Sequence, residues 1–126
     1  MGTMRGLLIK REFLELIFAG KKTWEIRGSR SQIRGLIALI ESATGTVVGT
    51  CTLDEVVGPL TLKDMQANAK RIGCKAEDIT SKYYKNTYAW VLGNVVRLPR
   101  PVPYKHPSGA VIWVRLYPAV VNKVQT

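Results

Sequence analysis

"GLLIKREFLELIFAGKKTWEIR", residues 6–27, decides the fold, because three kinds of local structure follow one another in it without a spacer. Residues 6–10 form a short apolar run of the kind a buried strand carries. Phe13, Leu14, Ile17 and Phe18 then recur at helical spacing, and Gly20 supplies a C-terminal stop. From Thr23 the residues alternate. Trp24 and Ile26 share one face of a predicted strand, while Thr23, Glu25 and Arg27 share the other. Regular pleating would send Lys22 to the face opposite Glu25, so Lys22 joins Glu25 and Arg27 only if it lies in the turn after Gly20. Ionised groups held that close must pair, titrate or wait for a ligand.

Working outward, GSRSQIRG (28–35) reads as a polar, glycine-bounded loop. GLIALIES, the turn ATGT and VVGTCTLDEVV read as a hairpin whose first strand is apolar on both faces, as a central or barrel strand is. TLKDMQANAKRIG then predicts a helix, with Thr61 and Asp64 at capping-box spacing and Gly73 as its stop. AEDITSKYY continues as a second short helix, and NTYAWVLGNVVRL predicts a strand with Tyr88, Trp90 and Leu92 on one face. PRPVPYKHPSG (99–109) holds four of the six prolines and reads as a rigid loop before AVIWVRLY closes the sheet. These elements add up to an α+β protein with a small mixed β-barrel and two or three helices. Residues 6–117 are expected to form the domain, 1–5 an N-terminal extension or a remnant ahead of Met4, and 118–126 a C-terminal tail.

A chain of 126 residues, 46% apolar and 22% charged, has the balance of one globular domain rather than of a disordered tail. Its longest apolar run, LIALI (36–40), is far shorter than a membrane span, and MGTMRG lacks the apolar stretch of a secretory signal. No membrane partner and a cytoplasmic location are therefore expected. Cys51 and Cys74 are far apart with no CxxC spacing, and His106 is the single imidazole, so a zinc site is not expected and two reduced thiols are. No cofactor is called for. The charge is more informative. Nineteen Lys and Arg against nine Asp and Glu give +10, spread along the whole chain. Such a surface attracts polyanions and gains affinity by releasing phosphate counterions, although net charge also serves solubility alone.

The residues quoted at the outset also resemble the opening of an ASCH domain, whose hallmark GxKxxExR is matched by Gly20, Lys22, Glu25 and Arg27. Gly49 in the hairpin, YYKNTYAWVL and the closing KHPSGAVIWVRL have counterparts in that family, so the resemblance covers residues 6–117. It implies a PUA-like pseudobarrel with helices over its mouth. It also implies a partner, RNA or a modified nucleoside, with no protein partner called. Some members of the family are RNA-binding modules, others resemble amidohydrolases that deacylate N4-acetylcytidine, and another looks like a ribonuclease. In the amidohydrolases the position of Glu25 is a threonine, and their separate glutamate has no match here.

The candidate catalytic residues are thus Lys22, Glu25 and Thr23. A lysine in a partly buried pocket can become a base or nucleophile, whereas an adjacent carboxylate holds it as a cation. The alternative is a Lys-Glu-Arg ion network that fixes the turn. Candidate RNA or substrate contacts are Arg27, Lys10, Arg30 and Arg34, together with Trp24, which could stack on a base although its alternation with Ile26 favours a core position. Lys82, Tyr83, Tyr84, Lys85 and Tyr88 mix rings with cations, as single-stranded nucleic-acid sites do, or else cover a helix-to-strand junction. Ser108, beside Gly109, stands where the proline loop returns to the sheet, and His106 is in range for proton transfer near neutral pH.

Overall fold

The structure, a computed structural model, describes residues 2–82 and 84–125, without the side chains of 80–82. Its elements run β1 (Met4–Ile9), α1 (Arg11–Phe18), β2 (Trp24–Arg27), β3 (Gly35–Glu41), β4 (Thr46–Val57), α2 (Leu62–Ala67) and α3 (Ala69–Ile72). A 3-10 helix (Ala76–Lys82), β5 (Tyr88–Pro103), β6 (Trp113–Leu116) and α4 (Pro118–Gln125) complete the chain. The six strands form one mixed sheet in the order β2-β5-β4-β3-β1-β6, in which only β1 and β3 are parallel.

The central strands are apolar on both sides because both sides are covered. Leu7, Ile9, Ile37 and Leu39 point to one face, where Leu14 and Ile17 of α1 meet them together with Cys51, Leu53, Trp90 and Leu92. Leu8, Ala38 and Ile40 point to the other, against Val102, Val114, Leu116 and the α4 residues Val121 and Val124. A third cluster joins Ile26 and Ala89 to Met65, Ala69, Ile72 and Ile79 of the α2-to-3-10 region. The sheet curls until its ends communicate. Trp90 of β5 stacks on Trp113 of β6 at 5.6 Å, and Arg27 on the edge strand β2 donates to Leu8 O of β1 at 2.8 Å. That curl is the expected small barrel, an α+β arrangement closed by side chains rather than by a continuous hydrogen-bond ladder.

Four elements differ from the reading of the sequence. Instead of two or three helices there are four α-helices and the 3-10 turn among the described residues. The helix after Thr61 has its capping box, with Asp64 N–H donating to Thr61 Oγ1 at 3.0 Å and Thr61 N–H to Asp64 Oδ2 at 2.9 Å, but it breaks at Asn68. Pro99–Pro103, expected in a loop, prolongs β5. Here β5 lies beyond β2, which pairs only as far as Val91, and the register to β4 jumps from Arg97 to Val102. A strand bulged on one side and unpaired on the other tolerates residues that cannot donate. The expected tail, finally, is α4, whose Val121 and Val124 are 3% and 5% exposed; at the other end Met4 and Arg5 of the expected extension belong to β1, paired with Leu116 and Arg115.

Candidate nucleic-acid site

The parallel pairing of β1 and β3 brings the C-terminal ends of both strands to one end of the barrel. Ser42 N–H donates to Ile9 O at 2.9 Å, so Lys10 and Ser42 emerge side by side. The turn after α1 and strand β2 come to the same end. Gly20 has φ +74°, its N–H donates to Ile17 O, and the N–H groups of Lys21 and Lys22 both donate to Leu16 O. This tight, non-pleated turn places Lys22 on the side of Glu25 and Arg27, as the sequence requires if the three are to meet.

Meet they do. Lys22 Nζ lies 3.6 Å from Glu25 Oε1, and Arg27 donates to Glu25 Oε2 through Nε at 2.9 Å and approaches it through Nη2 at 2.8 Å. Lys22 Nζ also donates to Trp24 O at 2.8 Å and Ile72 O at 2.9 Å. Ile72 O is at the end of α3, where the helix presents unpaired carbonyls and a cation is favoured. Lys22 reaches it because Gly73, at φ +83°, has no side chain; a Cβ there would sit 2.9 Å from Lys22 Cβ. The lysine and the carboxylate are almost wholly buried, at 4% and 8% side-chain exposure, and the arginine is at 17%. All the oxygens named around Nζ are acceptors, the surroundings an ammonium needs.

These charges form the floor of a half-enclosed cavity of about 360 Å³, lined also by Leu8, Lys10, Phe13, Ile26, Ser42, Tyr84 and Val111. That volume is in the range of small-ligand sites. Three cations and one carboxylate give the lining a net positive charge. Phe13 lies beneath Lys22, with its ring centroid 5.5 Å from Nζ. At the mouth, Tyr84 is 48% exposed, with its ring packed over Gly28, where a Cβ would come within 3.2 Å of it. The Tyr84 backbone is pinned at both ends by buried Thr87, which accepts from Tyr84 N–H at 2.8 Å and donates to Tyr84 O at 2.9 Å. Val111, 77% exposed, stands on the same rim.

Of the residues singled out in the sequence, Lys10, Lys22, Glu25, Arg27 and Tyr84 line this cavity. The others do not. Thr23 faces solvent, its N–H bonded to Arg71 O and its carbonyl to Leu92 N–H. Half-buried Trp24 packs against the third core cluster, on the side its alternation with Ile26 suggests, with Arg71 5.8 Å from its ring. Arg30 is spent on Gly58 O at 2.7 Å and on the Tyr88 ring at 4.9 Å, so Tyr88 is covered rather than presented. Arg34 curls back on Ser31 O and Ile33 O. Lys85 is exposed in the turn before β5, and Tyr83 and the side chain of Lys82 lie outside the described residues. Ser108 is exposed in the loop before β6, and His106 is held between Tyr104 OH at 2.8 Å and Ala110 O at 2.9 Å. Phe13, Ser42 and Val111 were not anticipated as lining. Phe13 is disguised by its place in an amphipathic helix, and the other two reach the site only through strand order.

Among the described residues no group of three or more His, Cys, Asp and Glu is placed to hold a metal ion, and no helix is long and apolar enough to cross a membrane.

The family model for the ASCH domain matches residues 7–101, which include the whole Gly20-to-Arg27 turn and strand. The chain belongs to the ASCH domain family. Solved structures agree on the fold. The ASCH protein of Zymomonas mobilis superposes with a TM-score of 0.74 at 15% identity, over 97% of this chain and 93% of that one. Two single-substitution mutants of the same protein give 0.72 at 16% identity, covering 97% of this chain and 96% and 94% of theirs. At such identities the likeness fixes the PUA-like ASCH fold and nothing about ligand. No curated protein matches the chain in sequence.

Proposed function

We propose that this ASCH domain binds RNA by admitting one unstacked base, or a free modified nucleoside, into the cavity between Lys10, Tyr84 and the Lys22-Glu25-Arg27 floor. The observation that carries the reading is the composition of that cavity: an exposed ring at the mouth, apolar walls, and a buried carboxylate flanked by two cations at its end. An exposed, backbone-pinned tyrosine suits base stacking, and Lys10 on the rim suits a phosphate. Glu25 accepts from base N–H groups, while Arg27 donates to a base carbonyl or ring nitrogen. The +10 charge supplies the long-range attraction.

Hydrolysis of an N4-acylated cytidine is the second reading, favoured by the contact of Lys22 with Glu25 at 3.6 Å. There Lys22 acts as base or nucleophile and Glu25 relays a proton. Its bonds to two backbone carbonyls oppose the unprotonated state that step needs, so simple binding ranks first. Cleavage of RNA would instead use Lys22 and Arg27 on phosphate charge.

The test is equilibrium binding of a short, labelled single-stranded RNA across a salt series. Affinity should fall steeply with salt; Tyr84→Ala should cost about 1–3 kcal/mol if a base stacks there. Lys10→Ala should lower the salt slope by about 1. Binding indifferent to both substitutions would remove the cavity from RNA recognition. Intact RNA after incubation separates binding from cleavage, and release of acetate from N4-acetylcytidine, abolished by Lys22→Ala, would promote the hydrolytic reading.

A further inference from the structure

Strands β1 and β6 set two arginines directly against each other. In the register of this antiparallel pair Arg5 faces Arg115. Leu8 N–H donates to Ile112 O at 2.9 Å, and hydrogen-bonded and non-hydrogen-bonded positions alternate along such a ladder. Gly6 with Val114 and Met4 with Leu116 are therefore hydrogen-bonded pairs, and Arg5 with Arg115 is a non-hydrogen-bonded one. At such a position the Cα atoms stand about 4.5 Å apart, and the two side chains leave the same face of the sheet at their closest approach. The neighbours fix which face that is. Met4, Val114 and Leu116 are buried with Val121 and Val124 of α4, whereas Leu7 and Trp113 belong to the opposite face. The arginines continue that second face toward the start of β1, Arg5 half-buried and Arg115 exposed.

Like charges directly opposite each other destabilise a sheet, and nothing in the protein offsets this pair. Among the described residues neither Arg5 nor Arg115 has an ion pair, a side-chain hydrogen bond or a ring contact, and Glu15, Glu25 and Glu41 are engaged by other cations. Two guanidinium forks side by side without a counter-charge suit an oxyanion, whose oxygens accept from both at once; Arg holds phosphate in this bidentate way where Lys does not. The pair is also connected to the cavity. β6 begins at Trp113, two residues past Val111 on the cavity rim, and carries Arg115 two residues further on. On β1 the same interval separates Lys10, the rim cation, from Arg5, a span of ~16 Å at about 3.3 Å per residue.

We infer that Arg5 and Arg115 form a second phosphate site, which holds a backbone phosphate of the RNA whose unstacked base enters the cavity. The inference rests on the reading of the cavity as an RNA site and narrows it. A ~16 Å span is about five nucleotides at the ~3.4 Å rise of a stacked strand, and fewer where the strand is splayed. The ligand is then an oligonucleotide that reaches both sites, rather than a free nucleoside. Occupation by a phosphate also removes the repulsion that the unliganded protein carries between the two strands.

Fluorescence anisotropy on the full chain tests this with two labelled single-stranded RNAs, one of about eight nucleotides that covers the span and a dinucleotide that does not. Arg5→Gln combined with Arg115→Gln should lower the salt slope of the longer RNA by about 2, one per arginine, and leave the dinucleotide unchanged. Lys63→Ala, at an exposed cation on α2, should change neither. A readout without RNA accompanies these. Arg115→Gln relieves the repulsion, so the urea midpoint of the unliganded protein should rise at low salt, with the gain fading as salt screens the charges. A fall in midpoint would show that a partner within the protein holds Arg115 and would overturn the inference. So would an unchanged slope for the longer RNA, a loss that Lys63→Ala reproduces, or an equal loss for the dinucleotide. If Tyr84→Ala weakens binding in those cases, the cavity keeps its RNA and the second site alone falls. Loss at the arginines with none at Tyr84 keeps the phosphate site and removes the cavity. Inorganic phosphate that shifts the Nε resonances of the two arginines, where the longer RNA leaves them unmoved, would assign the pair to free phosphate and overturn its place on the RNA.

Discussion

Replacing Lys22 by Met separates the structural from the chemical role of the buried charge cluster. The thioether keeps most of the stem that packs against Gly73 and Phe13 but removes Nζ. Two hydrogen bonds from a charged donor disappear, to Trp24 O at 2.8 Å and Ile72 O at 2.9 Å, and each is worth about 1.5 kcal/mol or more. Glu25 loses one of its two flanking cations but keeps Arg27, so the penalty of a wholly unpaired buried carboxylate, about 3–5 kcal/mol, is not incurred in full. The expected loss is roughly 3 kcal/mol. With a urea m-value of about 2 kcal/mol per molar, the midpoint of unfolding followed by tryptophan fluorescence should fall by ~1.5 M. A shift under about 0.3 M would refute the reasoning, because it would mean the bonds to Trp24 O and Ile72 O do not hold the turn in place. A large shift also sets a condition on any activity assay: a Lys22 variant that fails to turn over substrate must first be shown to be folded.

Three further outcomes follow from the same structure. Gly49→Ala should destabilise by about 1–3 kcal/mol in chemical denaturation, since its Cβ would lie 2.6 Å from both the Phe18 ring and Val96 O; a neutral effect would show that α1 gives way easily. Burial pushes the Cys51 thiol up to about 12, so at neutral pH thiol titration of the native protein should leave Cys51 unmodified until denaturant is added, and rapid native modification at Cys51 would contradict its placement. The capping bonds from Thr61, first the backbone N–H and then the hydroxyl, hold the Asp64 carboxyl below its ordinary 3.8. A lowered folded value stabilises above the unfolded value and is lost as the pH falls through the folded one, so stability should drop on acidification below about pH 4. Asp64→Asn should flatten that drop, as a melting series read by circular dichroism would show; an unchanged pH profile would deny the Asp64 carboxylate its role in the cap.

The strand, helix, turn and strand of residues 6–27 were legible because each signal there is local: helical spacing, a glycine stop, then alternation. Even the position of Lys22 could be stated in advance as a condition on the turn. Other features rest on partners distant in sequence. Pro99, Pro101 and Pro103 look like a loop until the neighbour of β5 is known to end at Val91. The helix of residues 118–125 buries Val121 and Val124 in the core and half-buries Val120, too short a pattern to stand out from a tail. Trp24 reads from its alternation as a core residue, and Arg30 reads as a phosphate contact or a solvated loop charge alike. The structure sets them against Arg71 and Gly58, which no local pattern connects to them. The same holds for Ser42 and Val111, delivered to the cavity by the order β3-β1-β6.

Whether the cavity over Lys22, Glu25 and Arg27 is where the ligand goes can be measured most directly by following backbone amide chemical shifts while a short single-stranded RNA, or cytidine, is titrated in. The account predicts saturable shifts centred on Lys10, Lys22 to Arg27, Ser42 and Tyr84, with Tyr84→Ala weakening them. Shifts confined to surfaces away from these residues, or none at RNA concentrations that saturate binding, would contradict it.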